Sequence, residues 1–125
     1  YEPQRAVRTQ RYKYIRRYDA RTAPVLPNCD DSLSKDLWGE QGWRNRLIEP
    51  EQLYDLIFDP NEMQNLANVA GYAEVLNDLR SRLDQWMQTT NDPLLTHNPA
   101  PAPPGTVVND PNGLSPREAT KALGG

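Results

Sequence analysis

The sequence is poor in the residue types from which disulfide-rich domains and metal sites are built. Its 125 residues include one cysteine, Cys29, and one histidine, His97. A single cysteine excludes an internal disulfide framework, and a single histidine leaves a histidine-based triad or a zinc cluster without partners. No apolar run approaches the roughly 20 residues that a membrane helix requires. We therefore expect no metal site and no membrane contact in this chain.

Apolar residues are scarce as well. Only 37% of the residues are hydrophobic, 12 are proline, and the mean hydropathy is −0.84. A chain of this length suits one domain with a small core, and such a domain often depends on a neighbour for its stability. The chain opens at Tyr1 without a methionine and without a charged and apolar leader, as expected of a piece of a longer parent.

Three segments predict a small antiparallel sheet. Residues 53–58, LYDLIF, are apolar or aromatic except Asp55 and predict a largely buried strand. Residues 5–9 and 12–18 predict a hairpin, which the strand at 53–58 extends into a sheet of three to four strands. After that strand, Asp59, Pro60 and Glu62 have the spacing of a capping box and predict a short helical turn.

One amphipathic helix is predicted at 71–87. Its apolar residues recur at spacings of three and four, so one stripe faces the core. The stripe consists of Tyr72, Val75, Leu76, Leu79, Leu83, Trp86 and Met87. Pro93 ends the helix because proline cannot continue the hydrogen-bond ladder. The predicted fold is α+β, a small antiparallel β-sheet packed against one long C-terminal amphipathic helix.

Two further segments lack this order. Residues 23–50 show no periodicity and predict a long irregular loop inserted into a subdomain of residues 1–97. Residues 98–125 form a proline-rich tail, extended at 98–105. Within the tail, Ser115-Pro116-Arg117-Glu118 repeats the capping-box pattern, so a short helix is expected at 116–123.

Two ordered motifs resemble a known family. EQLYDL at 51–56, DPNE at 59–62 and NLA at 65–67 look like a signature near the C-terminus of the sulfatases, and RAVRTQRYKYI at 5–15 resembles a hairpin of the same domain. The likeness covers residues 5–90 and is strongest to the heparan N-sulfatase (sulfamidase) branch and related bacterial enzymes. It implies an exported or lysosomal parent that hydrolyses sulfate esters or sulfamates on sugars, with calcium and a formylglycine nucleophile.

The catalytic parts of that family are missing from this sequence. Sulfatases resemble one another in a C/S-x-P/A-x-R motif that is oxidised to formylglycine. Cys29 is followed by Asp31 and Leu33 where the motif requires proline or alanine and then arginine, and no serine does better. The resemblance therefore implies a non-catalytic subdomain with no catalytic residue, metal or cofactor of its own. Its expected partners are the catalytic domain of the same parent and a sulfated carbohydrate.

The loop at 27–46 holds the candidate substrate-pocket residues. Trp38 and Trp43 either anchor the loop or stack on sugar rings, and Lys35 or Arg44 would then pair with an anionic group. Other chemistry is disfavoured, since S-x-x-K at Ser32 lacks its companion motifs and the acids beside Cys29 oppose a thiolate. The candidates are Asn28, Asp30, Asp31, Lys35, Trp38, Trp43 and Arg44.

A basic segment between Arg5 and Arg21 supports an alternative function. Residues 1–21 contain seven basic and two acidic residues, and tyrosines interleave with the basic ones. This pattern is typical of an independent anion-binding module for a glycosaminoglycan or nucleic acid. Because the basic residues divide between the two faces of the hairpin and the rest of the chain is acidic, we favour ion pairs with acidic residues of the same sheet or of the missing neighbour. We expect no nucleic-acid partner.

Overall fold

The computed structural model describes residues 1–96 and 102–123. Its strands and helices are β1 Gln4–Arg8, β2 Tyr12–Arg17, α1 Leu33–Glu40, β3 Glu51–Asp55, α2 Ala73–Thr89, β4 Val107–Asn109 and β5 Thr120–Ala122. The α+β prediction is confirmed. No helix in the described ranges is long and apolar enough to cross a membrane.

The chain divides into two compact units. The sheet–helix unit comprises Glu2–Asp19 and Glu49–Ala100, and the loop–tail unit comprises Tyr1, Ala20–Ile48 and Pro101–Gly125. His97 and the start of the proline-rich segment lie outside the described residues, so the expectations for them stay predictions. The predicted division of the chain at residue 97 stays a prediction as well.

The predicted hairpin forms the first part of a three-stranded antiparallel sheet. The strand order is β1-β2-β3, and Val7, Tyr14 and Leu53 lie side by side across it. Tyr14 and Leu53 have no exposed surface, and Val7 packs against the same cluster. One face of the sheet is therefore apolar although the hairpin sequence is rich in arginine, because the tyrosine ring supplies the buried area.

The third strand begins and ends two to three residues earlier than predicted. β3 ends at Asp55, and Ile57 and Phe58 are 63% and 79% exposed. The buried Asp55 carboxylate accepts hydrogen bonds from the backbone N–H groups of Ile57 and Phe58, and such an Asx turn reverses the chain. The polar residue that interrupts the apolar run therefore ends the strand.

The predicted helical turn after this strand is also wrong. Asp59 Oδ2 accepts a hydrogen bond from the backbone N–H of Gln64, and the Asp59 carbonyl oxygen accepts one from the backbone N–H of Glu62 at 3.1 Å, so the segment is a single hydrogen-bonded turn that no helix follows. Glu62 adopts a left-handed backbone with φ of 55°, and its carboxylate lies 2.8 Å from Lys13 Nζ. Glu62 thus pairs across the sheet and does not close a capping box.

Asn65 explains much of the NLA motif. Its Oδ1 accepts hydrogen bonds from the backbone N–H groups of Leu53 and Ala67, and its Nδ2 donates to the carbonyl oxygen of Glu51. These bonds occupy the free edge of β3, which an open sheet would otherwise leave unpaired. The motif is therefore structural in this unit.

Helix α2 packs across the apolar face of the sheet as predicted. The core contains Tyr14, Leu53, Leu66, Leu76, Leu79, Leu83, Met87 and Leu94. The helix begins at Ala73 and not at residue 71, since Ala70–Tyr72 form a 3-10 turn before it. Trp86 is 50% exposed, because it lies at the edge of the stripe, and its assignment to the core is wrong.

The C-terminus of α2 is closed by a Schellman motif. Asn91 has φ of 54°, its N–H donates to the Gln88 carbonyl, and the Asp92 N–H donates to the Met87 carbonyl. We expect Asn91→Ala to lower the free energy of unfolding by about 1 kcal/mol, since alanine is strained in the left-handed region. Urea denaturation would measure this loss. Asn91→Gly is the control and should retain the wild-type value; equal losses in the two variants would contradict this account.

The loop–tail unit contains more regular structure than the sequence predicts. Residues 23–50, expected to be irregular, include α1 and two 3-10 turns, Leu26–Asn28 and Trp43–Asn45. In the tail, β4 and β5 form a two-stranded antiparallel sheet. The helix predicted at 116–123 is absent from this described segment, and β5 occupies part of its place.

Ser115 and Glu118 nevertheless make the bonds of a capping box. Glu118 Oε1 accepts a hydrogen bond from the Ser115 backbone N–H, and Ser115 Oγ accepts one from the Arg117 backbone N–H. The motif closes a turn and does not start a helix, because the chain after it enters β5, where Lys121 pairs with Val108. A capping box therefore fixes the start of a turn here, while strand pairing decides the structure of the residues after it.

Candidate functional site

A cleft with two tryptophans lies beside α1. Ser32 caps the helix, since its Oγ accepts a hydrogen bond from the Lys35 backbone N–H. Gly42, with φ of 82°, then redirects the chain into the Trp43–Asn45 turn. The indole cleft, as we call it, has a volume of about 350 Å³. Its lining consists of Cys29, Ser32, Ser34, Lys35, Trp38, Trp43 and Arg46.

Lys35 lines this cleft but is already engaged. Its Nζ lies 3.0 Å from Asp31 Oδ1 and donates to the Cys29 carbonyl at 2.9 Å, and only 9% of the side chain is exposed. Asp31 also accepts a hydrogen bond of 2.6 Å from Ser115 Oγ. This bond, followed by the one from Lys35, holds the pKa of Asp31 below its usual value. Asp31 and Lys35 thus join α1 to the tail within the loop–tail unit.

Arg46 is the cation of the cleft that sequence reasoning missed. It is exposed, and no carboxylate in residues 1–96 or 102–123 forms an ion pair with it. Arg46 follows Trp43 by three residues, and side chains at this spacing eclipse one another in a 3-10 turn. The three-residue spacing from Trp43 could have indicated that Arg46 lies beside it, but the sequence pattern did not predict the 3-10 turn at Trp43–Asn45.

The other candidates lie elsewhere in the unit. Arg44 lines a second cleft of about 420 Å³ together with Arg21, and its Nη2 lies 3.5 Å from the Asn112 carbonyl oxygen. Asn28 accepts a hydrogen bond from Asn109 Nδ2 at 3.2 Å. Asp30 is exposed and lines neither cleft. The structure therefore brings Lys35, Trp38 and Trp43 together and separates Arg44 from them.

The basic hairpin is largely neutralised inside the sheet–helix unit. The ion pairs are Arg5–Asp92, Arg11–Asp55, Lys13–Glu62, Arg16–Asp84 and Arg17–Asp19, with distances of 2.6–2.9 Å. Five of the seven basic residues thus form ion pairs within this unit, in line with the preferred interpretation, although Asp55 is the one partner of the five that lies in the sheet itself. An anion binding to the hairpin would have to displace carboxylates from them.

The side chains that line the two clefts suit the binding of a ligand. Within residues 1–96 and 102–123, no three His, Cys, Asp or Glu side chains are grouped to hold a metal ion. The sequence also lacks the C/S-x-P/A-x-R motif from which formylglycine is made. The acidic residues in the described part of the chain therefore do not fit calcium, and the sequence does not fit a formylglycine nucleophile. The described clefts present aromatic surface and positive charge instead.

Comparison with known proteins identifies sulfatases as relatives. No protein-family model matches the chain. Two ulvan-active sulfatases of Formosa agariphila are 31% identical over 104 residues and 34% identical over 97 residues, which cover 70% and 77% of this chain. The human N-sulphoglucosamine sulphohydrolase is 36% identical over 75 residues, or 55% of the chain. The chain spans only 17%, 19% and 15% of the lengths of these three relatives.

Proposed function

Because this chain belongs to the sulfatases, we propose that it is their non-catalytic C-terminal subdomain and supplies one wall of a substrate site. The proposal is supported by the small share of each relative that the chain spans, together with the missing nucleophile motif. The nucleophile and calcium belong to a catalytic domain of the same parent. The parent is exported and hydrolyses a sulfate ester or sulfamate on a sugar.

The named relatives and the indole cleft support a proposal for the substrate class. The relatives are named for ulvan and for N-sulphoglucosamine, so we propose a sulfated saccharide for this chain. The cleft combines the two indoles of Trp38 and Trp43 with the guanidinium of Arg46. Aromatic faces bind the apolar face of a sugar ring, and a guanidinium binds a sulfate oxygen pair through parallel hydrogen bonds. This combination is the observation that carries the proposal.

An apolar face on α1 suits contact with the catalytic domain. Leu33 and Leu37 are 87% and 57% exposed and lie one helical turn apart. Neighbouring exposed apolar side chains on a short helix are typical of a surface that another domain covers. We propose that the catalytic domain covers these residues and that the indole cleft borders the contact.

The proposal predicts that Trp38 and Trp43 bind a sulfated sugar. We expect the double variant Trp38→Ala/Trp43→Ala to bind sulfated ulvan oligosaccharides about tenfold more weakly than the wild type, since two stacking surfaces are lost. Affinity is measured by calorimetry on the 125-residue chain. Trp86→Ala is the matched control and should keep the wild-type affinity, because Trp86 lines neither cleft.

Three results would overturn the proposal. The first is an equal affinity of the wild-type chain for sulfated and desulfated oligosaccharides. The second is an equal loss of affinity in the Trp86→Ala control. The third is release of sulfate by this chain alone, since the sequence contains no residue that could become the nucleophile.

The anion-binding alternative remains testable in the same samples. Binding that depended on the basic hairpin would be lost in Arg8→Gln, which removes an exposed hairpin arginine, and would weaken steeply with salt. We expect Arg8→Gln to leave binding unchanged, because ion pairs already occupy most of its basic neighbours.

A further inference from the structure

Arg21 is held rigidly by neutral acceptors. Its Nε donates to the Ala23 carbonyl at 2.9 Å, its Nη1 to Asn112 Oδ1 at 3.0 Å, and its Nη2 to the Pro111 carbonyl at 2.6 Å and the Pro24 carbonyl at 3.3 Å. No carboxylate in the described part of the chain forms an ion pair with it. The guanidinium is therefore fixed in place while its positive charge is not neutralised by direct contact.

Arg44 adds a second cation to the same cleft. Its Nη2 lies 3.5 Å from the Asn112 carbonyl oxygen, and the side chain is otherwise exposed. This second cleft of about 420 Å³, which we call the arginine cleft, lies between residues 20–26, Arg44–Asn45 and residues 111–113, and no acidic residue is among the described residues that line it. The guanidinium-bearing residues Arg21 and Arg44, which come from two separate segments of the chain, thus line the same cleft.

The acidic residue that precedes the 111–113 wall in sequence is already paired. Asp110 pairs with Lys121 at 2.7 Å and accepts a hydrogen bond from the Asn112 backbone N–H. These two bonds, with a smaller contribution from the charge of Arg21, lower the pKa of Asp110. Lys121 thus neutralises Asp110 by direct contact, and the residues that line the cleft include the cations Arg21 and Arg44 but no carboxylate.

The wall of the cleft at residues 111–113 is tightly built. A Cβ at Gly113 would lie 2.5 Å from Glu118 Oε2 and 3.2 Å from both the Asp110 carbonyl oxygen and Pro27 Cγ. Glu118 is itself held by the Leu114 and Ser115 backbone N–H groups. Such close approach favours glycine and fixes the wall before a ligand arrives, so little ordering entropy is lost on binding.

We propose that the arginine cleft binds an oxyanion of the saccharide, a sulfate or a carboxylate other than the group that is cleaved. This inference rests on the proposed function. A guanidinium has five N–H donors, so the four bonds of Arg21 leave one on Nη1, and Arg44 has most of its donors free. Planar guanidinium groups match the paired oxygens of either anion. Arg21 supplies a fixed charge, and Arg44 closes on the ligand.

The test is a ¹⁵N NMR titration of arginine Nε–H signals in the 125-residue chain. The probes are sodium sulfate and sodium acetate, each compared with sodium chloride at the same ionic strength. We expect the Arg21 and Arg44 signals to shift with one or both oxyanions, and the stronger probe identifies the group that binds. Chloride should leave them unchanged. Shifts no larger than those in chloride would overturn the inference, and this titration needs no variant.

A variant links the cleft to the saccharide. We expect Arg44→Gln to weaken binding of sulfated ulvan oligosaccharides about tenfold, since a charge-assisted hydrogen bond is lost. Arg8→Gln removes the same charge outside both clefts and should have no effect. If Arg44→Gln binds like the wild type while the Trp38 and Trp43 indole signals still shift, the inference fails and the proposed function stands. If neither the indole nor the arginine signals respond to the oligosaccharide, both fail.

Discussion

Truncating Leu83 to alanine is expected to lower the free energy of unfolding of the sheet–helix unit by about 3 kcal/mol. Leu83 is 2% exposed and lies in the core with Tyr14, Leu53 and Met87. The substitution removes buried apolar area and leaves a cavity that the β-sheet cannot fill without bending. Urea denaturation followed by far-UV circular dichroism measures the loss.

The matched control is Leu95→Ala in the same unit. Leu95 is 42% exposed, so the same chemical change removes less buried area and should cost under about 1 kcal/mol. Equal losses at the two positions would show that α2 does not pack on the sheet as described. A loss at Leu83 without a change in the denaturant slope would confirm that only packing was affected.

The sheet and α2 could be predicted because their sequence patterns coincide with their burial. Leu76, Leu79, Leu83 and Met87 repeat at helical spacing and are buried at that spacing. The differences arise where one polar side chain decides the local structure. The apolar run around Asp55 predicts a strand that continues past it, whereas the Asp55 carboxylate accepts hydrogen bonds from the backbone N–H groups of Ile57 and Phe58, and these bonds end the strand.

Helix α1 was not predicted, because its apolar residues do not mark a buried face. The structure assigns no buried residue to this helix, and Leu33, Leu37 and Trp38 are all more than half exposed. A periodicity search looks for a stripe that a core would cover within the same chain. The one readable signal is Ser32, which caps the helix and also belongs to the S-x-x-K pattern.

The grouping of the candidate site residues also exceeds what the sequence specifies. Trp43, Arg44 and Arg46 lie within four positions, yet Trp43 and Arg46 line the indole cleft while Arg44 lines the arginine cleft. The 3-10 turn at Trp43–Asn45 sets this division, since its three-residue period returns Arg46 to the side of Trp43. Arg21 could not be assigned to the arginine cleft from the sequence, because the acceptors that hold its guanidinium include Pro111 and Asn112 of the tail, which is distant in sequence.

Replacing Glu51 by alanine is expected to lower the free energy of unfolding by about 2 kcal/mol. Its carboxylate accepts hydrogen bonds from the Tyr14 hydroxyl and from Arg80 Nε and Nη2, the last at 2.5 Å. Tyr14 is fully buried and also accepts a hydrogen bond from Arg16 Nε at 2.9 Å. The variant leaves the buried hydroxyl without its acceptor. Because Glu51 and Arg80 are each about a third exposed, solvent screening keeps the loss of their ion pair small.

The same cluster predicts how stability depends on pH at both extremes. The bonds from Arg80, followed by that from Tyr14, lower the pKa of Glu51 despite its partial burial. The stability that Glu51 contributes is therefore present above its ordinary pKa of 4.5 and is lost as the pH falls through the lowered value. For Tyr14, burial and the bond to Glu51 raise the pKa to about 12. Its contribution is present below the ordinary value of 10.0 and is lost as the pH rises towards about 12.

Two conservative variants separate these contributions. Glu51→Gln keeps an acceptor for Tyr14 but cannot ionise, so its denaturation midpoint should fall less steeply than that of the wild type below the ordinary glutamate pKa of 4.5. Tyr14→Phe removes the hydroxyl, and the ultraviolet absorbance of ionised tyrosine should lose one phenol that titrates near pH 12. A wild-type chain whose tyrosines all titrate near the ordinary value of 10.0 would refute the buried contact between Tyr14 and Glu51. Since the Tyr14 side chain projects from β2 into the core that α2 covers, its late titration would report that the helix still covers the sheet at that pH.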